Sequence, residues 1–290
     1  MNIDLAQLAR PVTAPAKVNL NLKITGKRDD GYHLLNSAVI FTDFGDRITM
    51  TTDDSDRLTA TGPYIDLLPP QQADNLCLRA IARLRDHIPF LPPIHIHLDK
   101  QIPIGAGLGG GSADAAAILR HVNAAIDTPL DPALLTHIAA GLGADVTVCL
   151  DTTPQYMEGI GDHVTGLTIS DRPAILLTNP NIPLLTGPVF QRFAKLATAY
   201  AAPLDHKMIN GASAAELVGA GNDLSAAAIA LAPQIGHLLS NIEGCEGVIA
   251  AAMTGSGASC FGLFASDVAC YAAAQRLHDE GAWAVSSRIL

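Results

Sequence analysis

Lysine is scarce in this chain, with six in 290 residues and a formal net charge of -10. Such a balance argues against a general nucleic-acid binder, which needs a basic surface facing phosphate. Charged residues make up only 16% of the chain and hydrophobic residues 49%, so intrinsic disorder is excluded and a globular protein is expected. No apolar run approaches the roughly 20 residues that span a bilayer, so no membrane partner is expected. The start, MNIDLAQLAR, carries Asp4 and lacks a lysine-led opening before a greasy core, so it does not read as a secretory signal. The five cysteines (Cys77, Cys149, Cys245, Cys260 and Cys270) are odd in number and form no CxxC pair. Reduced, mostly buried thiols in a cytoplasmic protein are the economical reading, and no Cys/His cluster has the spacing of a zinc site. Neither a fixed-period repeat nor a strong coiled-coil pattern is present, and a monomer or weak homodimer is expected.

The length sits between one large domain and two of ordinary size. Three of the six lysines, Lys17, Lys23 and Lys27, fall within the first 27 residues, followed by Arg28. A local basic patch on an acidic protein suits a small phosphorylated ligand, although charge alone fits a solvated edge equally well. Alternation predicts strands over 17–24, 34–44 and 47–51, with a turn at Gly45-Asp46 between the last two. Asp74-Asn75 can cap a helix from Leu76 to about His87, which the prolines beyond it terminate. Ile94, Ile96 and Leu98 predict a strand. An alanine-rich helix follows over 112–125, then a helix over 132–140 and an apolar strand over 146–150. Further strands are expected at 174–178, 247–253 and 260–264, and helices at 189–196, 223–231, 235–242 and 268–280. The polar stretch at 165–172 suggests a division of the chain into 1–168 and 169–290.

The segment Pro103-Ile104-Gly105-Ala106-Gly107-Leu108-Gly109-Gly110-Gly111-Ser112 is almost free of bulky side chains toward its end. Such a backbone turns sharply and can aim several N–H groups at one anion. Ser112 could cap the following helix, whose first-turn amides also favour phosphate. Gly105, Gly107 and Gly110 formally match the dinucleotide pattern GxGxxG, but a lone match a hundred residues into the chain is weak. A Walker A loop needs a lysine before its final Ser or Thr, and this loop has none. A flexible surface loop is disfavoured by Ile102, Ile104 and Leu108. Asp114, early in the helix, would repel phosphate unless its carboxylate points elsewhere or acts through a metal.

Lys17 follows Pro15-Ala16 at the start of the first strand, and Asp145 lies in Gly143-Ala144-Asp145. A lysine can stabilise charge on a transferring phosphoryl group, and an aspartate can accept the proton of an attacking hydroxyl. In isolation, a solvated strand edge and a turn cap are the ordinary readings of these two residues.

Taken together, PAKVNLNLKITGKRDDGYH, DKQIPIGAGLGGGSADAA, GLGADV and MTGSGASCF resemble the small-molecule kinases named after galactokinase, homoserine kinase, mevalonate kinase and phosphomevalonate kinase. PAKVNLNL, GYH and GLGGGSADAA, supported by NPNIPLLTGPVF and GNDL, point to the branch whose acceptor is a cytidine diphosphate-linked methylerythritol. The resemblance implies a two-domain α+β fold with the active site in the interdomain cleft. It implies ATP and Mg²⁺ as cofactors, and transfer of the γ-phosphoryl to the 2-hydroxyl of the methylerythritol moiety.

By motif position, the resemblance makes Lys17 the catalytic lysine, Asp145 the catalytic base and Gly105–Ser112 the nucleotide phosphate loop. Asn19 becomes a polar positioning residue at the substrate, Tyr32 a cytosine-stacking residue and Phe190 a second stacking face. His33 and Lys100 become readers of the polar edges of cytosine. TGSGAS at Thr254–Ser259 becomes a support for the site and the substrate diphosphate. No metal ligand is assigned. The chain departs from the family's usual pattern at Thr147, where proline is common, at Thr152-Thr153, where glycines are common, and at Ala113, where a second serine is common.

Overall fold

The computed structural model describes residues 2–65, 74–196 and 199–290. From the amino end, α1 (Leu5–Leu8) and β1 (Val12–Asn19) precede β2 (Lys23–Lys27), the long β3 (His33–Thr52) and β4 (Arg57–Thr61). Then come α2 (Leu76–Arg85), β5 (Ile94–Asp99), α3 (Gly110–Ala124), α4 (Pro132–Leu142), α5 (Ala144–Val148), β6 (Gln155–Gly159) and β7 (His163–Gly166). The remainder is β8 (Ala174–Asn179), α6 (Thr186–Leu196), α7 (His206–Ile209), α8 (Ala214–Gly219), α9 (Ser225–Leu231), α10 (Gln234–Glu243), β9 (Val248–Met253), β10 (Cys260–Phe264), α11 (Asp267–Asp279) and β11 (Trp283–Arg288).

These elements form a two-domain α+β fold whose compact units interleave in sequence. One unit comprises Met1–Ala16, Phe44–Ile104 and Gly109–Asp151, and the other Lys17–Asp43, Gly105–Leu108 and Thr152–Leu290. These interleaved units differ from the single division after residue 168 that the polar stretch suggests. β1 and β3 each run from one unit into the other, a pattern that a polar stretch in the sequence cannot signal.

In the first unit β5 pairs in parallel with β4 and antiparallel with the end of β3. Ile94, Ile96 and Leu98 are buried, as their alternation predicts, and share the interior with Ile48, Met50, Ile81, Leu84, Ile118 and Val122. The Asn75 side chain accepts the Cys77 N–H and caps α2. Seven consecutive residues of α3, Ala113 to Leu119, are buried, which small alanine side chains permit.

In the second unit the beginning of β3 pairs antiparallel with β2 and β6, and β6 with β7. A separate antiparallel sheet runs in the order β11-β8-β10-β9. Its helices bury Val189, Leu224, Ile235, Ile242 and Leu277 against Leu176 and Phe264. Among the described residues no helix is long and apolar enough to cross a membrane.

A turn and a strand expected from the sequence fail for physical reasons. Gly45-Asp46 is not a turn, because β3 passes through it unbroken. A Cβ on Gly45 would lie 2.1 Å from the Ala14 carbonyl oxygen, so this glycine serves close backbone approach rather than reversal. The apolar run 146–150 is not a strand, because 144–148 coil into α5. Val146, Thr147, Val148 and Cys149 are all buried, and a short run without alternation fits a buried helix as well as a strand.

Candidate active site

Gly105, Gly107 and Gly109 have φ of +67°, +77° and +68°, in the left-handed region that side chains disfavour. Ala106 and Leu108 alternate with them and are buried, so the loop is pinned to the protein rather than loose. At Gly107 glycine is needed twice over. A Cβ there would lie 2.8 Å from the Gly257 carbonyl oxygen and 3.0 Å from that of Thr254. The first glycine loop therefore packs directly on TGSGAS, and the Ser259 N–H donates to the Ala106 carbonyl at 3.2 Å.

Ser112 does not cap the following helix. α3 starts two residues earlier, with Gly109 as its N-cap and no side-chain cap hydrogen bond. Its first-turn amides are thus left uncapped by any side chain, which is the arrangement that suits an anion.

β1 delivers two polar residues to the same part of the second unit. The Lys17 N–H donates to the Leu108 carbonyl at 2.9 Å, which ties the buried lysine to the glycine loop. The Asn19 N–H donates to Thr254 Oγ1 at 2.9 Å, and its Nδ2 to Ser37 Oγ at 2.8 Å. Asn19 Oδ1 is buried without a partner among the described residues, beside Gly255. GNDL, which the sequence offers without a role, acquires one here. Asn222 Nδ2 donates to the carbonyls of Met253 and Gly255, both at 2.9 Å, holding the late glycine loop. Asp223 accepts from Lys23 Nζ at 2.5 Å and from the Ile24 N–H at 2.9 Å, fixing the segment itself.

A cavity of about 510 Å³ in the second unit is lined by Lys27, His33, Phe190, Gln191 and Lys195, with Gly31, Gly187 and Ala194. The ring centroids of His33 and Phe190 are 5.0 Å apart, and Phe193 meets His33 edge-on at 6.0 Å. Burial, aided by the Lys27 charge, lowers the His33 pKa and favours the neutral imidazole. Its Nε2 is buried and has no partner among the described residues. Tyr32 stands 63% exposed and does not line the cavity.

Asp145 occupies the first turn of α5 in the first unit and is exposed. Lys100 departs from its expected role. It is buried in the first unit, with its ammonium committed to Asp46 and Asp114 rather than presented to a base edge. Asp114 accordingly points into the protein, as the phosphate-loop reading requires. Asp46 was missed because it looked like half of a turn.

Thr147 lies in the fourth position of α5, and its N–H reaches the Gly143 carbonyl only at 3.4 Å. The proline common at this position would forfeit little.

The glycine loop before a long helix, with a second glycine turn packed upon it, defines a small-molecule kinase. The models "GHMP kinases N terminal domain" and "GHMP kinases C terminal" match residues 75–159 and 208–282. The chain belongs to the 4-diphosphocytidyl-2-C-methyl-D-erythritol kinase family. It is 41% identical to the enzyme of that name from Parvibaculum lavamentivorans over 266 residues, covering 90% of this chain and 91% of that protein. With its counterpart from Mesorhizobium japonicum it shares 39% identity over 290 residues, 99% of this chain and 97% of that one. A crystal structure of 4-(cytidine 5'-diphospho)-2C-methyl-D-erythritol kinase superposes with a TM-score of 0.79 at 28% identity, covering 97% of this chain and 99% of that one. The homoserine kinase from Cytophaga hutchinsonii, at a TM-score of 0.70 and 18% identity over 96% of this chain and 94% of that one, shares the fold.

Proposed function

We infer that the chain is an ATP-dependent kinase that phosphorylates the 2-hydroxyl of 4-diphosphocytidyl-2-C-methyl-D-erythritol, giving the 2-phosphate and ADP. The observation that carries the acceptor is the His33–Phe190 pair at a cavity of about 510 Å³, in a chain of this family. An aromatic face holds a cytosine by stacking, and a neutral imidazole with an unused nitrogen can read its polar edge. Tyr32, exposed beside this cavity, closes over the base as a second face.

The glycine loop Gly105–Ser112, with the uncapped start of α3, receives the phosphates of ATP. Mg²⁺ supplies charge neutralisation on those phosphates. Among the described residues no group of three His, Cys, Asp or Glu could cage a metal. Mg²⁺ keeps several waters and binds largely through substrate phosphates, and no protein ligand is assigned to it.

Asp145 accepts the proton of the 2-hydroxyl as its oxygen bonds to the γ-phosphorus. The bond from that phosphorus to the bridging oxygen breaks, and ADP leaves with the electron pair. Lys17 stabilises the charge that develops on the phosphoryl oxygens. Asn19 orients the acceptor, using the Oδ1 that no described residue engages. Binding the remote cytidine contributes to alignment at the reacting hydroxyl. The five free, buried thiols suit a reducing cytoplasm, and the acting form is a monomer or weak homodimer.

The decisive experiment is an ATP/Mg²⁺ assay with 4-diphosphocytidyl-2-C-methyl-D-erythritol, following ADP release and locating the new phosphate by NMR. Mevalonate and homoserine serve as competing acceptors. Transfer to either of them in preference would assign the chain a different small-alcohol substrate. No transfer to any acceptor by protein that binds ATP would reduce it to a nucleotide-binding protein.

A further inference from the structure

Beneath the first turn of α3, the first unit buries three charges together. The Lys100 ammonium, 3% exposed, donates to Asp46 Oδ2 at 2.5 Å and to Asp114 Oδ2 at 2.7 Å. Asp46 Oδ1 accepts the N–H groups of Gln101 and Ile102 at 2.6 and 2.8 Å, the residues that lead into the glycine loop. Asp114 belongs to α3, which leads out of it. One ammonium thus ties the entering and leaving legs of the loop together. A Cβ on Gly110 would lie 3.1 Å from Lys100 Nζ and 3.4 Å from Asp46 Oδ2, so the cluster sits against the helix's first residue.

The charge count raises a difficulty. Two carboxylates against one ammonium leave a net negative charge directly behind amides that are to receive phosphate. Inside a protein such a charge is poorly screened and opposes the incoming anion. One proton removes it. Both oxygens of Asp46 accept hydrogen bonds, whereas Asp114 Oδ1 is buried with no partner among the described residues. Asp114 is therefore the carboxylate able to carry the proton.

The surroundings agree. Burial raises the Asp114 pKa to about 7, with Lys100 opposing the rise and Asp46 reinforcing it. Burial works against the Lys100 charge, but the two carboxylates more than compensate and keep it cationic. From α2 the Cys77 thiol also faces the cluster, and burial with the Asp114 charge holds it neutral.

We propose that the Lys100–Asp46–Asp114 cluster positions the phosphate loop and takes up a proton on Asp114 when the phosphates of a nucleotide bind there. The inference rests on the reading of Gly105–Ser112 as the phosphate site. It makes Asp114 a positioning residue whose charge state follows nucleotide occupancy.

Calorimetric titration of Mg-ADP, in two buffers of different protonation enthalpy at about pH 7.5, tests this directly. The parent protein should take up on the order of half a proton per nucleotide, since an anion raises the pKa of a nearby acid already titrating in this range. Asp114→Asn, which fixes the neutral state, should show almost no uptake. Its affinity should fall at least about threefold less between about pH 6.5 and 8.5 than that of the parent.

Equal uptake and equal pH dependence in the two proteins would overturn the inference while leaving the loop reading intact. Should the variant not fold, the parent decides alone. Zero uptake, with no protonated-carboxyl infrared band appearing on Mg-ADP binding, is the overturning result. Failure of the folded parent to bind Mg-ADP would remove the loop reading itself, and the inference with it.

Discussion

The imidazole of His33 lies with its centroid 5.0 Å from the ring of Phe190, the two planes tilted by 30°. Both rings line the cavity proposed to receive cytosine, so in that reading the pair forms one aromatic wall of the site. Base–aromatic stacking is worth about 1–3 kcal/mol, so Phe190→Ala should raise KM for the cytidine-linked acceptor roughly 5- to 100-fold. KM for ATP should stay within about twofold, because the change is confined to acceptor binding. Tyr32→Ala should act in the same direction but less, given the exposure of Tyr32. Steady-state kinetics with each substrate varied in turn checks all three statements. A rise confined to KM for ATP would move the cytosine site elsewhere.

Asp145→Asn keeps the shape of the first turn of α5 and removes the proposed base. Turnover should fall about 10²–10⁴-fold, with the melting temperature close to that of the parent. Single-turnover measurement of ADP formation is the appropriate readout, and near-parental turnover would withdraw the role from Asp145.

Gly107→Ala combines a φ of +77° with a contact at 2.8 Å to the Gly257 carbonyl oxygen. Strain of this kind costs about 1–3 kcal/mol, which urea denaturation should report as a lower midpoint at unchanged slope. Gly111→Ala is the internal control. Nothing lies within 4 Å of a Cβ there and its φ is not positive, so stability should remain within about 0.5 kcal/mol of the parent.

Asn222→Ala strips two carbonyls, those of Met253 and Gly255, of their shared donor. A loss of about 1–3 kcal/mol in stability is expected from leaving such groups unsatisfied. Because the late glycine loop packs on the first, kcat should fall as well. An unchanged kcat in a destabilised variant would make Asn222 purely structural.

The buried triad also sets a pH dependence of folding. The folded pKa of Asp114, about 7, stands above the ordinary aspartate value of 3.8. Across that window the folded state retains a proton that the unfolded chain has released, so this residue's contribution to stability declines as pH rises. Asp114→Asn removes the titration. The difference in unfolding free energy, parent minus variant, should therefore shrink between about pH 5 and pH 7.5, as measured by denaturant melts at constant ionic strength. A difference that stays flat over that range would show that Asp114 is ionised throughout.

The glycine loop could be read from residue order because its parts are contiguous in sequence. A run of glycines before an alanine-rich helix is a local statement about backbone freedom, and the structure honours it at Gly105, Gly107 and Gly109. The helix start was misplaced because Ser112 is a good cap in the abstract, whereas the left-handed turn at Gly109 begins the helix earlier. Lys100 shows the same limit of local reading. A lysine near a binding motif suggests contact with the ligand, and only the fold reveals the two carboxylates already holding it. Asp46 and Asp114 lie 68 positions apart and share no pattern.

The sequence by itself determined the chemistry on offer: a glycine-rich backbone able to cradle phosphate, a lysine, an acid, and a Tyr32-His33 pair. Those follow from side-chain type and local conformation, which neighbours along the chain already dictate. Tertiary structure alone decided which groups spend their charge internally. Lys100 is consumed by Asp46 and Asp114, Asn222 by two loop carbonyls, and Gly45 by the approach of Ala14. Burial removes water as the competing partner, so each polar group must find its match among residues distant in sequence.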